Sequence, residues 1–116
     1  MPTFEKQIFE PEDAVKLMEG ELHPSELADI RMKLAASFFF LSGRMDLCDR
    51  KEREFNLELD RQSDEYTEAA RRRAWKQTEW GLEQTLTKNK MRAIDRLTSA
   101  ISSKLRVSEQ EAKMNY

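Results

Sequence analysis

The stretch SELADIRMKLAASFFFLSGRMDLCDRKEREFNLEL, residues 25–59, decides the fold. Its larger apolar side chains mostly recur every three or four residues, which is the spacing of one stripe along an α-helix. No proline interrupts the run, and at 1.5 Å per residue such a helix is about 52 Å long. The stripe therefore needs a partner helix of similar length. It consists of Leu27, Ile30, Leu34, Phe38, Leu41, Met45, Cys48, Phe55 and Leu59.

A second long helix follows a predicted turn at residues 60–64, with Ser63 or Thr67 as its N-cap, and it runs to about Glu111. Polar residues and a glycine weaken its middle, so a kink or break is expected near Asn89. Small residues at its start allow close approach to the bulky end of the first helix. Its predicted stripe is Ala70, Ala74, Leu82, Leu86, Ala93, Leu97, Ile101 and Leu105.

Residues 1–24 form an acidic arm that contains a short helix. Pro11 precedes Glu12 and Asp13, an order typical of a helix start, and Gly20 is expected to stop the helix. Apolar residues from Phe4 onward leave two alternatives open, because the arm can fold back on its own chain or grip another subunit.

These observations predict an all-α protein, an elongated antiparallel helical hairpin of coiled-coil type with a short N-terminal helix. The predicted organisation is an arm at 1–24, the hairpin at 25–112 and a tail at 113–116. Two long helices bury little surface for a chain of 116 residues, which favours a homo-oligomer.

Four consecutive apolar residues, Phe38, Phe39, Phe40 and Leu41, cover almost the whole circumference of the first helix. A hairpin buries only about one face of this collar. We therefore predict that Phe38, Phe39, Phe40 and Leu41 form the oligomer interface, and the alternative is that the N-terminal arm covers them.

Charge is distributed unevenly, although the net charge is only −2. Residues 1–30 hold eight acidic and two basic side chains, whereas residues 71–106 hold ten basic and three acidic ones. The near-neutral total therefore combines an acidic head with a basic second helix.

Catalytic chemistry has few candidates. The single histidine, His23, adjoins Pro24 in a turn, and the chain has no Gly-rich phosphate loop and no Cys-x-x-Cys pair. Cys48 lies on the apolar stripe, where a reduced, packed thiol is expected. We predict that the protein is not an enzyme, with no catalytic residue, no metal site and no cofactor.

No segment has the roughly 18 uncharged apolar residues that span a membrane. The first residues, MPTFEK, lack the basic and apolar regions of a secretory signal. We expect no membrane partner and a cytoplasmic location, which is the host cytoplasm if a phage encodes the chain.

A basic and aromatic cluster marks the start of the second helix. Cations on one helix face neutralise phosphates, and tryptophan offers a stacking platform for unpaired bases. Alternatively, the tryptophans pack against the first helix and the arginines pair with Glu52, Glu54 and Glu58. The predicted nucleic-acid-binding residues are Arg71, Arg72, Arg73, Lys76, Trp75 and Trp80.

Three blocks, SELADIRMKLA (25–35), TEAA (67–70) and AIDRLTSAISSKLRV (93–107), resemble small helical-hairpin proteins encoded by bacteriophages. The likeness covers roughly residues 25–108, and this chain adds the acidic arm and the phenylalanine collar. Such proteins resemble accessory factors of phage DNA replication or recombination. The resemblance implies that class of function and assigns no role to any residue.

Two functions are therefore predicted. The first is a non-enzymatic, oligomeric accessory or assembly factor of phage-type nucleic-acid metabolism, which binds single- or double-stranded nucleic acid through its basic second helix. The alternative is a protein–protein adaptor, such as a virion scaffold or an inhibitor of a partner protein, whose working surface is the acidic N-terminus.

Overall fold

The computed structural model describes residues 9–20, 22–62 and 65–114. Over these ranges the chain forms helices and no strand, which confirms the all-α prediction. Phe4 and the predicted cap Ser63 lie outside the described residues. The helices are α1 (Pro11–Met18), α2 (Pro24–Gln62), α3 (Glu68–Gln77) and α4 (Glu79–Met114).

Helix α2 begins at Pro24, one residue before the stretch 25–59 that predicts it. The backbone N–H groups of Glu26 and Leu27 donate to the His23 carbonyl at 2.9 and 3.1 Å, so His23 holds the N-cap position. Pro24 suits the first helical position because it has no N–H to leave unpaired and its φ is already helical. Among the described residues, no helix has the length and apolar content that a bilayer crossing requires.

The predicted second helix is divided into α3 and α4 at Thr78, and the expected break near Asn89 is wrong, since α4 is continuous there. Thr78 has extended backbone angles (φ −75°, ψ 159°). Its hydroxyl donates to the Trp75 carbonyl at 2.6 Å and accepts from the Gly81 N–H at 3.0 Å. Thr78 therefore caps the start of α4, a position where threonine is favoured.

Gly81 is required at this break because the end of α3 lies against it. A Cβ atom at position 81 would lie 1.8 Å from the Trp75 carbonyl oxygen, well inside van der Waals contact. Only glycine permits such close backbone approach. The break thus depends on a contact between residues six positions apart, which the polar composition near Asn89 does not indicate.

Contacts divide the chain into two units, each described by itself. Unit 1 comprises Met1–Leu41 and Lys90–Tyr116, and unit 2 comprises Ser42–Asn89. The core of unit 1 is aliphatic, with α1 contributing Ala14, α2 contributing Leu34 and Leu41, and α4 contributing Ile94 and Ile101. These side chains are almost completely shielded from solvent.

The described part of the N-terminal arm folds back on its own chain. The Phe9 N–H donates to the Ser37 hydroxyl at 2.6 Å, and the Lys90 ammonium lies 3.0 Å from the Glu10 carboxylate. Together with the buried Ala14, these contacts hold residues 9–18 within unit 1. This is the first of the two predicted alternatives, and a contact of the arm with another subunit stays a prediction.

The stripe predicted for the second helix is partly wrong. Leu82 and Leu86 are both 57% exposed. The buried side chains of α4 are Thr87, Ile94 and Ile101, of which the predicted stripe contained Ile101. They are seven residues apart and so lie on one line along the helix, from which both leucines are displaced.

Candidate nucleic-acid interface

Helix α3 begins at Glu68, with Thr67 as its cap. The Thr67 hydroxyl accepts from the Ala70 N–H at 3.1 Å, which satisfies one of the free N–H groups at the helix start. Thr67 was one of the two caps that the sequence predicts. The short helix therefore has a defined start, and the Thr78 break defines its end.

Three of the predicted phosphate ligands share the outer side of α3. At about 100° per residue, Arg72, Arg73 and Lys76 fall within about 100° of one another around the helix. All three are exposed, while Ala74 and Trp75 on the other side are half-buried and buried. Lys76 also lies in the last turn, where a cation complements the helix dipole.

Trp75 anchors the inner side of α3 and is only 4% exposed. Its indole N–H donates to Oε1, the side-chain amide oxygen of Gln84, at 2.6 Å, and the ring of Phe55 lies 5.6 Å away between centroids. The Gln84 amide nitrogen in turn donates to Asp49 at 2.9 Å and to Glu52 at 3.1 Å. One glutamine thus connects α2, α3 and α4 inside unit 2, which holds the opposite side of α3 toward solvent.

Both tryptophans were predicted to bind nucleic acid, and the alternative was that they pack against the first helix. Trp75 packs, so its ring offers no face to a base. Trp80 is half-buried, and the ammonium of Lys51 lies 5.7 Å from the centre of its ring. A cation over an aromatic ring at this distance is attractive.

Arg71 differs from its neighbours because it faces inward and pairs with Asp60. Its Nε also donates to the Tyr66 carbonyl at 3.4 Å. Arg72 lies 3.7 Å from Glu68 one turn away, with both side chains largely exposed. Such an exposed pair contributes about 0.3–0.5 kcal/mol at most and leaves the guanidinium accessible.

Arg71 and Arg72 therefore pair with Asp60 and Glu68, two acids that the alternative prediction did not name. Glu54 lies 3.6 Å from Lys51, and Glu58 lies 3.6 Å from Arg61, each within α2. Glu52 accepts from Gln84. The acids of α2 thus make contacts of their own, while Arg72, Arg73 and Lys76 stay on the surface.

A cavity of about 290 Å³ in unit 2 adjoins this helix. Two acids and two arginines line it, so its formal charges balance and it offers no excess positive charge to a phosphate. The exposed side of α3, outside the cavity, is the more suitable anion surface. The lining residues are Glu52, Asn56, Glu68, Arg71, Arg72 and Trp75.

The four collar residues have different environments. Leu41 is fully buried in the core of unit 1 and was wrongly placed at an oligomer surface, whereas Phe38 is half-buried and packs against that core. Phe39 and Phe40 are 77% and 41% exposed, with their rings edge to face at a centroid distance of 6.4 Å. Sequence reasoning missed Met32, which is 71% exposed and lies seven residues before Phe39.

Cys48 is buried in unit 2 and is not part of a disulfide. Burial raises the pKa of its thiol above the ordinary value of 9.0, and the nearby Glu83 carboxylate adds to the rise while Arg44 opposes it. Within the described ranges, no three histidine, cysteine or carboxylate side chains come together as a metal site requires.

The chain was also compared with known proteins. It matches no protein-family model, no curated protein and no solved structure.

Proposed function

We propose that this protein is a non-enzymatic, oligomeric accessory or assembly factor that contacts nucleic acid through the outer side of α3. The observation that carries the proposal is the shared exposure of Arg72, Arg73 and Lys76 on a helix whose other side Trp75 holds in place. The setting in phage-type nucleic-acid metabolism is what the resemblance of the helical blocks implies.

The three cations suit a phosphate backbone better than a base. Binding of Z phosphates releases counterions, so log K falls with log salt with a slope of about −0.7Z to −0.9Z. For three contacts this means a loss of roughly 20- to 40-fold in affinity between about 50 and 200 mM salt. Because contacts to phosphate carry no sequence information, we expect little preference for sequence.

A titration of labelled single- and double-stranded oligonucleotides at these two salt concentrations tests the proposal. We expect binding at the lower salt that weakens steeply at the higher salt, and at least a fivefold loss for Arg72→Glu. Arg53→Glu is the matched control, because it changes charge by the same amount at an exposed site of α2. Equal affinities for these two variants would contradict the proposal.

The second candidate is the adaptor, whose working surface is acidic. In the described part of the arm, Glu12, Asp13 and Glu19 are exposed on or next to α1. These carboxylates can attract a basic protein surface or imitate a phosphate backbone. A folded protein that binds neither oligonucleotide at about 50 mM salt would favour this candidate over the first.

A further inference from the structure

The side of α2 that faces away from the unit 1 core is apolar as well. Positions 28, 32, 35 and 39 follow steps of four, three and four, the spacing of a coiled-coil seam. Met32 lies about half a turn from the buried Leu41. We name this surface the outer stripe, and it consists of Ala28, Met32, Ala35, Ala36, Phe39 and Phe40.

No member of the outer stripe carries a charge, while its borders do. Asp29 and Lys33 form an ion pair at 3.5 Å on one side, and Arg31 is exposed on the other. An uncharged centre with a polar rim is the usual composition of a protein–protein interface. It is a poor surface for nucleic acid, which requires cations.

The exposed area of the outer stripe is the size expected for a dimer of modest stability. An aromatic side chain has about 150–250 Å² of surface, so Met32, Phe39, Phe40 and the alanines together expose about 400 Å². Two such stripes in contact bury about 800 Å², and the charged rims bring the total toward about 1,200 Å², which is the lower end of the range for specific interfaces. We expect association that depends on protein concentration.

We infer that a second copy of this chain occupies the outer stripe in antiparallel orientation, with the twofold axis between Ala35 and Ala36. This inference rests on the oligomer of the proposed function and names its surface and register. In this register Phe39 of each copy faces Met32 of the other. Alanines at the axis let the two backbones approach closely, and the two bulky side chains meet on either side of it.

The antiparallel register is self-complementary in size and chemistry. A thioether against an aromatic ring is a favourable contact. A parallel pair in register would instead place Phe39 against Phe39 and Met32 against Met32. Large side chains would then meet large ones, and alanines would meet alanines, which packs less closely than large against small.

Mass measurement by sedimentation or light scattering tests the surface. For the full chain we expect the mass to rise with concentration from 13.7 kDa toward twice that value. Phe39→Asp should give the monomer mass throughout. Leu57→Asp, an exposed apolar site on the same helix, should behave as wild type. A wild-type protein that stays monomeric, or a mass that Phe39→Asp leaves unchanged, would overturn the inference.

Cysteine cross-linking tests the register in chains that carry Cys48→Ala. Met32→Cys mixed with Phe39→Cys should form a disulfide between the two proteins. Met32→Cys alone should not, because its two copies are about seven residues or 10.5 Å apart along the axis, beyond disulfide reach. A disulfide formed by Met32→Cys alone, with none between the two different variants, would establish a parallel pair and overturn the register.

The two proposals can fail independently. Arg72→Glu should lose oligonucleotide affinity and keep the wild-type mass, because Arg72 lies on α3 and outside the outer stripe. Phe39→Asp should lose the dimer, and its monomer should keep a salt-dependent affinity for the oligonucleotide. A dimer that binds no oligonucleotide would contradict the proposed function and support this inference.

Discussion

Unit 1 and unit 2 stabilise their helices by different means. Unit 1 buries aliphatic side chains such as Leu34, Ile94 and Ile101. In unit 2, the Arg44 guanidinium lies 2.5 Å from the Glu83 carboxylate with both side chains largely buried, and Gln84 links three helices. Apolar burial stabilises a fold through contacts that have no preferred direction. A hydrogen-bonded network instead requires one arrangement of its donors and acceptors.

The two units also differ on their outer surfaces. Unit 1 exposes the uncharged outer stripe, with Met32 and Phe39 most open to solvent. Unit 2 exposes the cations of α3, including Arg72 and Arg73. The comparison teaches that one long helix, α2, contributes to an apolar surface in one unit and to a hydrogen-bonded network in the other.

The largest expected effect is a cavity in unit 1. Leu34→Ala should lower the free energy of unfolding by about 2–5 kcal/mol, because Leu34 is completely buried among aliphatic neighbours. Leu57→Ala, an exposed leucine on the same helix, should change it by about 0.5 kcal/mol or less. Urea denaturation followed by circular dichroism measures both, and equal effects would contradict the assigned core.

In unit 2, removing one member of the buried ion pair should destabilise the protein more than replacing both members with apolar side chains. Arg44→Met leaves the Glu83 carboxylate largely buried without its close cation and should cost about 3 kcal/mol. Adding Glu83→Leu should recover most of this loss, since apolar side chains often replace a buried pair without cost. A double-mutant cycle in urea checks the coupling, and additive losses would show that the two side chains act independently.

Alkaline pH should weaken unit 2 through Cys48. Burial raises the pKa of this thiol in the folded protein, so the unfolded chain releases the thiol proton first. The contribution to stability is complete below the ordinary value of 9.0 and is lost as pH rises through the folded pKa. Between about pH 8 and 10, the urea midpoint of Cys48→Ala should therefore fall less than that of wild type. An equal fall in the two proteins would exclude the Cys48 thiol as the cause.

The smallest effect is expected for the contact between the arm and α4. Lys90→Met removes the partner of Glu10, and both side chains are about one-third exposed, so we expect a loss of about 0.2–1 kcal/mol. Hydrogen exchange at residues 11–18 should rise only slightly, because Ala14 still packs in the core. Complete loss of protection there would show that the ion pair, and not Ala14, holds α1.

Part of this structure could be predicted from the sequence. Helix α2 and its buried Leu27, Ile30, Leu34 and Leu41 follow from apolar periodicity, which is a local property. The break at Thr78 depends on the approach of Gly81 to Trp75, a contact that periodicity does not encode.

The candidate surfaces were predicted only in part. Arg72, Arg73 and Lys76 could be identified by charge, but the inward position of Arg71 depends on its pairing with Asp60 in the folded chain. Met32 was missed because a single apolar stripe was sought, and α2 in unit 1 has two. Leu41 was wrongly placed at an oligomer surface for a different reason, because the four consecutive residues of the collar were assigned together although one of them also belongs to the buried stripe.

The salt dependence of oligonucleotide affinity tests the central claim most directly. From about 50 to 200 mM salt, the slope of log K against log salt should be about −2 to −3 for wild type. Arg72→Ala should reduce its magnitude by about one, as the loss of one phosphate contact requires, and Arg53→Ala should leave it unchanged. A slope that Arg72→Ala and Arg53→Ala alter equally, or a wild-type affinity that does not depend on salt, would contradict the assignment of α3 as the nucleic-acid surface.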